Sequence, residues 1–186
     1  MPVAALLDAN VLYPAPVRDF LLRLANTGLY RPHWTDMIQE EWIRNLLLNR
    51  TDLKRKDLER TKNAMNAAFE GANITGFENL IETFELPDAN DRHVLAAAIE
   101  GECNIIVTNN VKDFPPKYVK RFGITVKLPD DLVGDFLEEN TPRVLQALDE
   151  QVRSLRNPPL TRMQVLEKLE ACGLSKSVSL LTKQII

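Results

Sequence analysis

Val3-Ala4-Ala5-Leu6-Leu7-Asp8-Ala9-Asn10 runs five apolar residues into an abrupt acid. An apolar run of that length without alternation suits a strand buried on both faces, as in a parallel sheet covered by helices on each side. A second run, Asn104-Ile105-Ile106-Val107-Thr108, leads straight into Asn109-Asn110, and Ile124-Thr125-Val126 reads as a third strand. Between these runs the periodicity is helical. Residues 17–25 read as a helix after the Pro14/Pro16 turn, Thr35 can cap a helix running to about residue 50, and residues 52–70 suit a long polar–apolar helix. Asn90 or Asp91 opens another, with Val94, Leu95, Ala98 and Ile99 on one face and Gly101 as its stop. Strands alternating with helices imply parallel pairing through helical crossovers. The expected fold class is therefore α/β, a three-layer α/β/α sandwich on a central parallel sheet.

Beyond Pro129 the chain changes character. Val144, Leu148, Val152 and Leu155 keep helical spacing until Arg156-Asn157-Pro158-Pro159 breaks it. Thr161 and Gln164 form a capping-box pattern, Gly173 ends that helix, and Ser175 starts a final one. Residues 1–130 are expected to form the sheet domain. Residues 131–186, too few for an independent core, are expected to form a helical extension packed on it or on a partner.

Composition narrows the function classes. The net charge of −3 over 186 residues argues against a strongly basic nucleic-acid coat. Local basic groups remain: Arg44, Arg50, Lys54, Arg55, Lys56, Arg60 and Lys62 in one segment, and Lys112, Lys117, Lys120, Arg121 and Lys127 in another. Taken singly, such residues read as solvated helix faces. Two cysteines and two histidines, widely scattered, exclude a disulfide framework and a zinc site. No apolar run is long enough to span a bilayer, and residues 1–7 meet Asp8 too soon for a signal peptide, so a cytoplasmic protein without membrane association is expected.

Ligands of open α/β sheets bind beyond the carboxyl ends of the strands. Asp8 closes the first strand, Asn110 and Asp113 follow the second run, and Asp91 opens the helix that feeds it. Carboxylates gathered without a basic partner repel one another unless a cation fills the gap, and oxygen-only ligands select Mg²⁺ or Mn²⁺. Such a centre supports hydrolysis of phosphodiesters. For a fourth acid, the stripe of Ile38, Trp42 and Leu46 puts Glu41 at the border of the buried face and Glu40 nearly opposite, so Glu41 is chosen with Glu40 in reserve. Each acid alone has an ordinary role: Asp8 as strand terminator, Asp91 as a helix cap shared with Asp88 or Asn90, Asp113 as a turn former, Glu41 as a solvated helix residue. Their order along an α/β chain carries the functional reading. His93, about 200° around a helix from Asp91, and His33 receive no catalytic part.

Asp8-Ala9-Asn10-Val11-Leu12 resembles the opening motif of PIN domains, and Glu41 after a Thr-capped helix start resembles their second acid. Asp91-Arg92-His93-Val94-Leu95-Ala96-Ala97-Ala98 resembles the third motif, and Val107-Thr108-Asn109-Asn110-Val111-Lys112-Asp113-Phe114 the fourth. The likeness covers residues 3–128 and is nearest to the VapC-like toxins of type II toxin–antitoxin pairs, in a branch with a longer helical tail. It implies a Mg²⁺- or Mn²⁺-dependent endoribonuclease in which Asp8, Glu41, Asp91 and Asp113 are the catalytic, metal-holding acids. Thr108 and Asn110 would be neutral hydrogen-bonding members of the site, and Asn10 would assist beside Asp8. It also implies an RNA substrate, an antitoxin protein as partner, and pairing into a homodimer. Asn110 stands where some members carry another acid. Two alternatives remain: a PIN-like scaffold acting through protein binding, and a DNA-directed nuclease. A phosphohydrolase with Asp8 as nucleophile would want an acid where Asn10 stands. A receiver domain would want adjacent acids after the first strand and a lysine after the last.

Overall fold

The computed structural model describes residues 2–185. Strands β1 (Val3–Leu7), β2 (Tyr30–His33), β3 (Ile105–Val107) and β4 (Thr125–Lys127) pair in the order β2-β1-β3-β4, every pair parallel. The helices are α1 (Ala9–Leu12), α2 (Ala15–Asn26), α3 (Asp36–Asn49), α4 (Arg55–Ala68), α5 (Arg92–Glu100), α6 (Pro116–Val119), α7 (Pro129–Ser154), α8 (Arg162–Ala171) and α9 (Ser175–Ile185). Leu7 pairs with Val107 and Val107 with Lys127, so the carboxyl ends of β1 and β3 lie side by side. From β1 the chain crosses to β2 on one side, then returns to β3 on the other. Right-handed crossovers running in opposite directions cover both faces of the sheet with helices, giving the α/β/α sandwich. The reversal at β1/β3 is also the crevice where open sheets bind ligands.

The apolar run that opens the chain is the centre of the core, with Ala4 to Leu7 wholly inaccessible. β2 was not among the expected strands. Tyr30-Arg31-Pro32-His33 carries a proline and alternates buried with more exposed residues, unlike the apolar runs of β1 and β3. It is an edge strand, and only there can a proline sit without costing the sheet a ladder hydrogen bond. Tyr30 anchors it, stacking on Phe136 of α7 at 5.4 Å and donating its hydroxyl to the Leu21 carbonyl at 2.9 Å.

The C-terminal helices share this core, since one buried cluster runs from Ala4 to Leu181. α7 packs on α2, α9 packs on α7, and α8 touches α2, α7 and α9. α7 breaks at Asn140 (φ −156°, ψ 70°), two residues before Pro142, and the Asn140 side chain accepts from the Arg143 N–H to restart the helix. The Thr161/Gln164 capping box is formed at the start of α8. The buried Asp130 carboxylate reaches from α7 to α9, accepting from the N–H groups of Lys176 (2.9 Å) and Ser177 (2.8 Å) and from the Ser177 hydroxyl (2.6 Å). Among the described residues no helix is long and apolar enough to cross a membrane.

Candidate active site

Asp8 follows β1 directly, and its N–H donates to the Val107 carbonyl, so the pairing with β3 fixes its backbone. One carboxylate oxygen accepts from the Ala9 N–H at 2.7 Å, capping α1. The other accepts from the Thr108 hydroxyl at 2.8 Å and the Asn10 amide at 3.2 Å. The Thr108 hydroxyl in turn accepts from Asn10 Nδ2 and from the Asn110 N–H, both at 3.1 Å, which uses its one donor and both acceptor positions. Asp8 is only 5% exposed. Burial pushes its carboxyl up from the usual range, and these hydrogen bonds oppose that push.

A residue the sequence reading passed over closes the network. Asn109 donates its backbone N–H to Asn10 Oδ1 (3.0 Å) and its side-chain amide to the Asn10 carbonyl (3.2 Å), stitching the loop after β3 to the turn after β1. An asparagine in a loop carries no signal of its own. Only the parallel pairing, which sets residues almost a hundred positions apart beside each other, reveals its role.

Beside Asp8 opens a cleft of about 900 Å³ whose walls include Glu41, Arg44, Asp91, His93, Asn110 and Asp113. Burial, and then the charges of Asp8, Asp88, Asp113 and Glu41, push the Asp91 carboxyl up to about 7. Burial and then Asp8 also raise Glu41. The four acids singled out in the sequence thus lie in one electrostatic neighbourhood, and among the described residues none has a lysine or arginine within ion-pair distance.

Local structure explains why these side chains are free. Asp91 ends a 3-10 turn (Ala89–Asp91) and precedes α5, yet its side chain makes no capping bond. The capping falls to Asp88, which accepts from the Asn90 N–H at 2.9 Å. Asp113 ends a second 3-10 turn, Val111–Asp113, directly after Asn110. α3 starts at the Thr35 cap, whose hydroxyl accepts from the Ile38 N–H, and buries Ile38, Trp42 and Leu46. Glu40 borders the cleft, but its carboxylate is gripped by both Arg55 guanidinium nitrogens at 3.0 and 3.1 Å, which hold it below its ordinary range. Glu41 has no such clamp.

His93 lines the cleft from the first turn of α5, 9% exposed, with Nε2 3.8 Å from a Glu41 oxygen. Asp91 belongs to the tighter turn before that helix. Burial lowers the His93 imidazole and favours its neutral form.

The donor set suits a hard divalent cation in kind: four carboxylates outside any lysine or arginine ion pair among the described residues, with neutral oxygens beside them. Among the described residues no three such side chains close on a single point, so the acids line the cleft without forming a finished cage.

The PIN domain family matches residues 4–112, a span holding β1 from its second residue, β2, β3, Asp8, Glu41 and Asp91. The chain belongs to the PIN domain family. Asp113 lies one residue beyond the span that the PIN domain match covers. Residues 129–183, which form α7 to α9 of this PIN protein, match the VapC50 C-terminal domain. A relative from Mycobacterium tuberculosis (strain ATCC 25618 / H37Rv), named "Putative ribonuclease VapC50", is 39% identical over 82 residues. That stretch is 42% of this chain and 47% of the relative, so less than two thirds of the relative's length is covered. No solved structure matches this chain.

Proposed function

We propose that this PIN domain protein is a divalent-metal-dependent endoribonuclease and the toxin of a toxin–antitoxin pair. The observation that carries the reading is the set of carboxylates at the β1/β3 crevice that crowd one another, Asp8, Glu41, Asp91 and Asp113, none of them in an ion pair with lysine or arginine among the described residues. The likeness to a relative named as a ribonuclease supports RNA as substrate, and the match of the tail to the VapC50 C-terminal domain supports a VapC-like toxin. An antitoxin as partner, a second copy of the chain in a homodimer and a cytoplasmic location belong to the same reading. Residues 1–130 would carry the chemistry and residues 131–186 the helical extension.

Asp8, Asp91 and Asp113 would hold Mg²⁺ or Mn²⁺, with Glu41 orienting water or a second ion. The bound cation would neutralise the scissile phosphate and acidify a coordinated water. The chain's own groups prepare that centre. Thr108 and Asn10 fix the rotation of the Asp8 carboxylate, and the Asn110 amide offers a neutral contact at the mouth. The neutral His93 neighbours Glu41 without adding charge.

The test is cleavage of matched RNA and single-stranded DNA by purified protein with Mg²⁺, with Mn²⁺ and with EDTA, beside Asp8→Asn. RNA cut only with metal, and only by the unsubstituted protein, is the expected result. Equal cutting of DNA would shift the reading to a DNA-directed nuclease, and no cutting by well-folded protein would favour the scaffold. Thr108→Val keeps the side chain's shape but removes the hydroxyl that orients Asp8 and accepts from Asn110. Cleavage is expected to fall about 10–100-fold, the usual loss when the partner of a metal ligand goes. Full activity in Thr108→Val would show that the Asp8 carboxylate needs no such positioning.

A further inference from the structure

Arg44 is the one lysine or arginine among the described residues that line the acidic cleft, where Asp36, Glu40, Glu41, Asp88, Asp91 and Asp113 supply the carboxylates. It sits one helical turn after Glu41, about 4.5 Å further along α3, on the same side of the helix. Two of those acids are already neutralised from α4: Lys62 pairs with Asp36 at 3.1 Å and Arg55 with Glu40 at 3.0 Å. Those pairs engage Arg55 and Lys62 of α4. Arg44 is spared. It is exposed, and among the described residues it makes no ion pair and no side-chain hydrogen bond, although its charge reaches both Glu40 and Glu41.

A free guanidinium on a wall of carboxylates presents a fork of donors suited to phosphate oxygens. The cleft otherwise repels a polyanion. A cation held by the acids would offset charge at the phosphate being cut but not at its neighbours, which would meet the remaining carboxylates of the cleft. We propose that Arg44 binds a backbone phosphate of the RNA next to the one that is cut and so positions the strand along α3. The inference rests on the ribonuclease reading above. It makes Arg44 a contact to charge and geometry, blind to base identity.

The experiment is steady-state cleavage of a short single-stranded RNA by the full chain over a salt series. Arg44→Ala is expected to raise KM about tenfold with kcat within about twofold. The slope of log(kcat/KM) against log salt is expected to shrink by about 0.7, the signature of one lost phosphate contact on a single strand. Arg44→Glu is expected to shrink it by about twice as much, and Arg44→Lys to keep the slope while losing part of the affinity. Arg153→Ala, an exposed arginine on α7 with no ion pair among the described residues, is the control and should change neither quantity. An unchanged KM and slope in Arg44→Ala overturns the proposal and leaves the ribonuclease reading intact. A fall in kcat alone overturns it too, because Arg44 would then serve the bond-breaking step. If the unsubstituted protein cuts no RNA, the ribonuclease reading and the inference fall together, and that appears before any variant is made.

Discussion

Asp91→Asn is expected to reduce RNA cleavage by about 10³-fold, roughly 4 kcal/mol of lost transition-state stabilisation, while making the metal-free protein harder to unfold. The two effects have one cause. Burial and the charges of Asp8, Asp88, Asp113 and Glu41 raise the Asp91 carboxyl from 3.8 to about 7. Between those values the folded chain binds a proton that the unfolded chain has released. The associated stability is therefore whole below about pH 4, declines as pH climbs toward 7, and stays lost above it. Taken at face value the shift amounts to about 4 kcal/mol. Asp91 is only half-buried, so solvent screening cuts the cost to about 1–2 kcal/mol. Asparagine removes the charge and with it that cost. In EDTA at pH 7.5 the variant is expected to melt about 3–6 °C above the unsubstituted protein, with no difference at pH 4. Mg²⁺ is expected to raise the melting point of the unsubstituted protein and leave the variant unmoved. Identical melting curves at pH 7.5 would refute the electrostatic account, and undiminished cleavage would remove Asp91 from the site.

The second large effect lies at the α7/α9 contact, outside the lining of the cleft. Asp130→Ala removes a buried carboxylate that takes hydrogen bonds from two backbone N–H groups and one hydroxyl in the first turn of α9. A negative charge at a helix start, with charge-assisted bonds to otherwise unpaired donors, contributes about 3 kcal/mol in such a partly buried setting. The melting temperature is expected to drop by about 6–12 °C. Amide exchange should accelerate most across residues 175–185. Ser177→Ala, which takes away one of the three donors, should cost about 1 kcal/mol. A loss below about 1 kcal/mol in Asp130→Ala would mean that the packing of Val178 and Leu181 alone holds α9.

Why some of this was legible in the sequence, and some not, follows from where the information sits. β1 and β3 announce themselves because strands buried on both faces admit no polar residue, and Asp8 stands out by ending such a run. Thr35 and the Thr161/Gln164 pair are local capping chemistry, readable within four residues. β2 hid because an edge strand tolerates proline and alternation. The site's depth hid for a different reason. The Thr108 bond to Asp8, the Asn109 clamp on Asn10 and the approach of His93 to Glu41 all depend on which strand neighbours which, and no window along the chain contains both partners. The grip of Arg55 on Glu40, reaching across from the next helix, lies outside any such window as well.

The span between the site's parts bears on how such a chain is made. Thr108, the hydrogen-bond partner of Asp8, leaves the ribosome a hundred residues after it, and Asp113 later still. At ordinary synthesis rates that interval is about 5–20 s. Until β3 has emerged and paired with β1, the nascent chain holds an unfinished crevice in which Asp8 lacks the Thr108 hydroxyl that orients it. On the proposed ribonuclease reading, cleavage of RNA therefore waits until β3 has joined β1.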